Sequence, residues 1–186
     1  MSLNISEFLQ NFNPSKCERL DDGQSFRSVY SVEDSVLEEL GNGGEYVVKH
    51  VGEDNKSFSR TQNRNEVRAY LESIERNQDF LPPVKAGTTD FDYIVARRVN
   101  PLPTPSLTHP WKDNPKRRDF EQKCRNVLPE GWTDNDDTEL GVDGNDLKIM
   151  DGGALYRKDW KVDEILNHDL VNNLSNSGSE YFVIEI

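Results

Sequence analysis

The chain contains little cysteine and no long hydrophobic run. Its 186 residues include two cysteines, Cys17 and Cys124, which lie far apart and match no metal-binding or disulfide spacing. We therefore interpret them as reduced, space-filling side chains. No apolar run approaches the roughly 18 residues that a membrane-spanning helix needs, and the first residues lack the basic and apolar segments of a signal peptide. These absences predict a cytoplasmic protein that does not associate with a membrane.

Basic residues are scarce relative to acidic ones. Lys and Arg total 22 against 34 Asp and Glu, which gives a formal net charge of -12 at pH 7. A surface that coats nucleic acid needs clustered Lys and Arg, so this balance argues against a nucleic-acid partner. An acidic surface also suits high salt, where screening suppresses self-repulsion. The composition is therefore compatible with a halophilic source and equally with an ordinary acidic protein.

The hydrophobic residues recur in patterns typical of a mixed fold. They make up 34% of the chain, enough for one domain or for two small lobes that share a cleft. Val67, Tyr70 and Ile74 recur at helical spacing, whereas residues 45–51 form the clearest strand pattern. The sequence predicts helices at 3–12, 63–76, 115–127 and 160–174, and strands at 26–32, 45–51, 93–99, 140–142, 147–150 and 181–186. These elements indicate an α+β fold with an antiparallel sheet.

A proline-rich stretch divides the chain into two parts. Residues 100–110 contain four prolines, which is typical of a linker. We predict one lobe at 1–100, which includes the N-terminal helix, and a smaller lobe at 101–186.

Four polar residues follow one another in an informative order. Lys49 lies inside the clearest strand, and Glu66 lies on the main predicted helix. Asp134 opens an acidic loop, and Asp151 ends an apolar strand immediately before two glycines. Each residue taken alone has an ordinary interpretation: an edge-strand lysine, a solvated helix face, or an acid in a turn. Their order and spacing taken together are more informative than any one of them.

These elements and residues resemble the protein-kinase-like family, and especially the small kinase-like proteins of phages and prokaryotes. The resemblance covers approximately residues 20–153, and residues 62–70 look like the start of the corresponding helix in the phage-type proteins. It implies an antiparallel N-lobe with one main helix, followed by a much reduced C-lobe. It also implies that ATP and Mg²⁺ are the ligands, and that a viral member would work in the host cytoplasm.

The resemblance assigns nucleotide contacts to Lys49, Gly23 and Ser25, and it makes Glu66 the partner of Lys49. Lys49 matches the strand lysine that holds the α and β phosphates, and Glu66 matches the helix carboxylate that pairs with that lysine. Residues 23–30 resemble a degenerate nucleotide-covering loop, in which Gly23 and Ser25 would approach the phosphates. An ordinary hairpin turn explains that loop equally well.

The resemblance also assigns roles to three acids. Asp134 matches the catalytic-loop aspartate, which orients the attacking hydroxyl and accepts its proton. Asp151 matches the metal-binding aspartate, and Glu139 stands where the family has a metal-binding Asn. Two further departures are Asp136, where phage-type members commonly have His, and Gly152, which replaces an aromatic residue.

Three functions remain open at this stage. The first is an ATP-dependent phosphotransferase that acts on a protein or a small molecule. The second is a pseudokinase that binds a nucleotide or a protein partner without turnover. The third is an unrelated calcium loop that begins at Asp134, which is disfavoured because its sixth and twelfth positions hold Glu139 and Asn145 instead of Gly and Glu. Only 33 residues follow Gly153, so we expect no full peptide-docking platform.

Overall fold

The computed structural model describes residues 4–21, 27–32, 40, 45–52, 56–103, 115–134, 139–160, 169–175 and 178–185. The helices among them are α1 (Ile5–Gln10), α2 (Lys56–Glu75), α3 (Pro115–Val127) and α4 (Asp169–Ser175), with 3₁₀ turns at Pro14–Lys16 and Gly152–Ala154. The strands are β1 (Arg27–Val32), β2 (Tyr46–Val51), β3 (Val84–Thr88), β4 (Tyr93–Arg97), β5 (Asn100–Pro101), β6 (Trp132–Asp134), β7 (Leu140–Asp143), β8 (Asp146–Ile149), β9 (Leu155–Arg157) and β10 (Tyr181–Val183). The predicted α+β class is confirmed.

A five-stranded antiparallel sheet forms the main layer, in the order β1-β2-β4-β3-β10. Strand β2 lies inside this sheet and is buried on both faces because its side chains alternate between two hydrophobic clusters. Val47 belongs to the cluster beneath α2, and Val48 belongs to the cluster beneath α1. The strand that carries Lys49 is therefore held rigidly by packing on both sides.

Helix α1 covers one face of the sheet. Ile5, Phe8 and Leu9 are buried in the same cluster as Val48 and Val95. The side chain of Asn4, the N-cap residue, accepts a hydrogen bond from the Glu7 backbone N–H at 2.7 Å, which satisfies one donor of the first turn. The short helix thus owes its stability to its buried face, because six residues form a stable helix only through tertiary packing.

Helix α2 covers the opposite face and begins earlier than predicted. The sequence placed its start at Asn63, whereas the helix begins at Lys56. Its first two turns carry little apolar periodicity and are held by polar contacts, since Lys56 and Arg60 both form ion pairs with Asp92 in the loop before β4. A search for hydrophobic spacing could not detect a start that depends on charges elsewhere in the fold.

The segment that ends at Trp160 is fixed to α2 by a buried polar cluster. The Trp160 indole N–H donates to a carboxylate oxygen of Glu72 at 3.0 Å, and the Arg68 guanidinium lies 3.6 Å from the centre of the Trp160 ring. Arg68 also pairs with Glu72 at 3.0 Å. These contacts attach the later part of the chain to the main helix.

Two small sheets complete the fold. Strands β5, β7 and β8 form one, and β6 pairs with β9 in the other. The predicted strand–turn–strand unit after residue 140 is confirmed, with Gly144 at φ +62° in its turn. Helix α3 has the predicted bounds. Strand β10, near the end of the chain, returns to pair with β3 in the main sheet.

One expectation needs correction, and others fall outside the described residues. The predicted helix over 160–174 is wrong at its start, because Trp160 is not helical, and the helix described there is α4. Residues 104–110 of the predicted linker, the loop at 135–138 that contains Asp136, and residues 161–168 lie outside the described residues. No helix in the described ranges is long and apolar enough to cross a membrane.

The packing of α1 on the sheet can be tested with two isoleucines. Ile5 is 1% exposed, whereas Ile74 on α2 is 37% exposed. We expect Ile5→Ala to lower the free energy of unfolding by about 2–4 kcal/mol, because it leaves a cavity between α1 and the sheet. Ile74→Ala should change it by only about 0.5 kcal/mol. Urea unfolding of both variants measures the difference, and equal losses would contradict the described packing.

Candidate functional site

The predicted pair between the strand lysine and the helix glutamate is present in the structure. Lys49 extends from β2 towards α2, and its Nζ lies 2.5 Å from Oε1 of Glu66. The same Nζ donates a hydrogen bond to the Met150 backbone carbonyl at 2.9 Å. Both charged side chains are buried, so each compensates the other's loss of hydration. This contact joins the centre of the sheet, the main helix and the end of β8.

Arg27 completes the same cluster and was missed by sequence reasoning. It lies on β1 and is 3% exposed. Its Nη1 donates to Oε2 of Glu66 at 2.7 Å and to Oδ1 of Asn63 at 2.9 Å, while its Nη2 donates to Oδ1 of Asp151. Glu66 therefore accepts from a lysine through one oxygen and from an arginine through the other. Removing either member of such a buried pair typically costs about 3–5 kcal/mol.

The strand register supplied the signal that could have identified Arg27. Alternate residues of a strand share a face, so Arg27 points to the same side as Val29. Val29 lies opposite Lys49 in the neighbouring strand, and Arg27 lies opposite Val51. An arginine on the inward face of a strand next to Lys49 needs a buried acid. The predicted pairing included only one cation for Glu66.

Asp151 lies at the mouth of the cluster. It is the N-cap residue of the 3₁₀ turn Gly152–Ala154, and its Oδ1 accepts a hydrogen bond from the Gly153 N–H at 2.8 Å. Burial acts to raise the pKa of the Asp151 carboxyl, but the charges of Arg27 and Lys49 and the hydrogen bonds to the carboxylate outweigh burial. The pKa of Asp151 is therefore lowered, and the group carries its charge at neutral pH.

Gly152 and Gly153 allow Asp151 to approach α2 closely. A Cβ atom at Gly152 would lie 3.0 Å from Cγ of Glu66, and one at Gly153 would lie 3.0 Å from the Gln62 backbone oxygen. The side chain of Asn65 adds hydrogen bonds to the backbone carbonyls of Gly153 and Leu155, at 2.9 and 2.6 Å. The helix therefore leaves little room for a side chain at Gly152.

The cluster forms one end of a cleft with a volume of about 390 Å³. Charged or polar walls are provided by Asp21, Arg27, Lys49, Arg97, Arg98, Glu139 and Asp151, and apolar walls by Leu20, Val29, Val47, Pro82, Ala96, Val99, Pro101 and Met150. The volume lies in the range of ordinary ligand sites. The lining therefore combines four cationic side chains, Arg27, Lys49, Arg97 and Arg98, with apolar ones, and a ligand that has an apolar ring and an anionic tail would match this combination.

The remaining predicted site residues occupy different places. Glu139 is exposed and lines the cleft together with Asp151. Asp134 lies in β6, where its backbone pairs with Leu155, so the fold brings it near the segment that follows Asp151. Its side chain is not among the described parts of the chain. Gly23 and Ser25 both lie outside the described residues, and their predicted contacts with phosphate stay predictions.

The arrangement around Asp151 does not fit a divalent metal ion. Its Oδ1 already accepts from the Arg27 guanidinium and from the Gly153 N–H. Two unit charges 4 Å apart interact by about 1 kcal/mol in water and about 4 kcal/mol near a protein surface, and a divalent ion doubles the effect. A Mg²⁺ ion on this carboxylate would therefore be strongly repelled by Arg27. Within the described part of the chain, no three His, Cys, Asp or Glu side chains converge to hold a metal.

No protein-family model matches this chain, and no curated protein is similar to it in sequence at a significant level.

The lowered pKa of Asp151 predicts how stability depends on pH. A carboxylate whose pKa is lower in the folded state contributes stability in full above its ordinary pKa of about 3.9, and loses it as the pH falls towards the folded-state value. We expect the free energy of unfolding of the wild type to fall more steeply below pH 4 than that of Asp151→Asn. Urea unfolding between pH 5 and pH 2 measures both slopes. Parallel curves would show that Asp151 is not held by its neighbours.

Proposed function

We propose that this chain is a protein-kinase-like protein whose cleft binds ATP. The observation that carries the proposal is the Lys49–Glu66 ion pair, which presents a buried ammonium group at one end of the cleft. An ammonium group has three N–H donors, and the described bonds to Glu66 and Met150 use two of them. A polyphosphate beside Lys49 would add to this pattern without breaking the ion pair.

The apolar lining of the cleft also supports the proposal that a nucleotide binds there. Val29 and Val47 approach from neighbouring strands, and Ala96 and Val99 lie at the end of β4 and just beyond it. Apolar side chains of this kind are the common lining of ligand pockets and would suit a purine ring. The resemblance in the sequence and the combination of apolar and cationic side chains in the cleft therefore point to the same ligand.

ATP-dependent phosphotransfer is the activity that we place first for such a site. Asp134 would orient the acceptor hydroxyl and receive its proton, because it lies on β6 beside β9 and close to the segment after Asp151. Lys49 would hold and neutralise the phosphates of the donor. In the family, Mg²⁺ bound by residues at the positions of Asp151 and Glu139 supplies further charge neutralisation. Here, Asp151 would have to release Arg27 before it could serve in this way.

Binding without turnover is the second candidate, and one observation favours it. The ion pair between Arg27 and Asp151 occupies the carboxylate that phosphotransfer in this family assigns to the metal. A pseudokinase that binds a nucleotide or a protein partner needs the fold and the cleft but not that carboxylate. Turnover of ATP by the purified protein distinguishes the two candidates, and both require that ATP binds.

Substitution of Lys49 tests the nucleotide site. Lys49→Met removes the ammonium but leaves Glu66 paired with Arg27, so we expect the fold to persist while ATP affinity falls at least about tenfold. Isothermal titration calorimetry with ATP measures the affinity.

Lys148→Met is the matched control for Lys49→Met. Lys148 is also a buried lysine in an ion pair, with Asp79, but it does not line the cleft. ATP affinity should stay unchanged in this variant. Wild-type affinity in Lys49→Met, or the same loss in both variants, would count against a nucleotide site at Lys49.

A further inference from the structure

We propose that Arg27 serves as the built-in cation of this cleft and that the protein binds nucleoside triphosphate without a divalent metal ion. The inference rests on the proposed nucleotide site and specifies how its charge is balanced. At Asp151, the Arg27 guanidinium forms an ion pair with the carboxylate that would otherwise bind the metal ion.

The charges of the cluster support this role. Glu66 and Asp151 bring two negative charges to the end of the cleft where a polyphosphate would lie. Lys49 balances one of them, and Arg27 balances the other through contacts to both acids. Without Arg27, the Asp151 carboxylate would repel the phosphates, and a metal ion would be needed to neutralise it. Because Arg27 neutralises the Asp151 carboxylate, no metal ion is needed for that purpose.

Several hydrogen bonds hold the Arg27 guanidinium in one position. Its guanidinium is fixed by Glu66, Asn63 and Asp151, which come from two separate elements of the fold. Arg27 itself belongs to β1, which pairs along six residues with β2. The side chain also lines the cleft, so its positive charge lies close to the position proposed for the phosphates even though its N–H groups are bonded to protein acceptors. A Mg²⁺ ion on Asp151 would share the carboxylate with the Arg27 guanidinium, which repels it.

The first test compares the wild-type protein with and without metal. We expect its affinity for ATP, measured by titration calorimetry, to differ by less than about threefold between EDTA and excess Mg²⁺. ATP binding that weakens at least about tenfold in EDTA would overturn the inference while leaving the proposed nucleotide site intact. Absence of ATP binding under both conditions would overturn the inference together with the proposed function. This comparison needs no variant, so it does not depend on the folding of a mutant.

The second test removes the guanidinium. We expect Arg27→Gln to lower ATP affinity in EDTA at least about tenfold and to regain part of it when Mg²⁺ is added, because Asp151 is then available to the ion. Mn²⁺ binding, followed by electron paramagnetic resonance without nucleotide, should also strengthen in this variant. Unchanged ATP affinity in EDTA, or unchanged Mn²⁺ binding, would contradict the role of Arg27.

Arg97→Gln is the matched control for charge. Arg97 lines the same cleft but pairs with Asp143 at 3.1 Å and makes no described contact with Asp151. Its loss should weaken ATP binding by the same factor with and without Mg²⁺, and should leave Mn²⁺ binding unchanged. If both arginine variants behaved alike, Arg27 would contribute only general positive charge, and the inference would fall.

Discussion

The carboxylate of Glu66 is shared by two cations that come from different strands. Lys49 reaches Oε1 from β2 and Arg27 reaches Oε2 from β1, while Glu66 itself lies on α2. Arg27 then continues to Asp151. A single buried carboxylate thus fixes the distance between sheet and helix and draws the end of β8 to both. Because an uncompensated charge at this depth costs several kcal/mol, each of the four groups is stabilised by its neighbours in the cluster.

Close packing around the cluster allows this set to form. Gly152 and Gly153 lie against α2, where a Cβ atom would meet Glu66 or the Gln62 backbone. Asn65 binds the backbone of the same segment from the next turn of the helix. The acid at the strand end is therefore positioned by backbone contacts as well as by charge. The same helix holds Trp160 through Arg68 and Glu72, so α2 contacts both the cluster at Asp151 and the later part of the chain.

Local patterns predicted those parts of the fold that depend on neighbouring residues. Strand β2 and helix α3 were found from apolar periodicity, and the turn at Gly144 from its glycine. The start of α2 was missed because it depends on ion pairs with Asp92. The pairing of β10 with β3 joins residues about ninety positions apart, which no local pattern encodes.

In the candidate site, too, local patterns predicted some residues, and residues that depend on distant contacts were missed. The order of Lys49 and Glu66 was informative because a buried lysine needs an acid, and strand and helix patterns placed them at suitable positions. Arg27 was missed because its role depends on the register between β1 and β2 and on Asp151, which is 124 residues away. The kinase-like assignment, the roles of Asp134 and Glu139, and the choice of ATP are proposals, whereas the Mg²⁺ that the resemblance implies conflicts with the ion pair between Arg27 and Asp151.

The coupling between Arg27 and Glu66 is the most direct measure of the shared carboxylate. A double-mutant cycle would compare the free energies of unfolding of the wild type, Arg27→Gln, Glu66→Gln and the double variant, all by urea unfolding. Because each single variant leaves a buried charge with fewer partners, the double variant should cost less than the sum of the two by at least about 1 kcal/mol. Additivity within about 0.5 kcal/mol would mean that the two side chains do not act together, and would contradict the shared carboxylate as the centre of this structure.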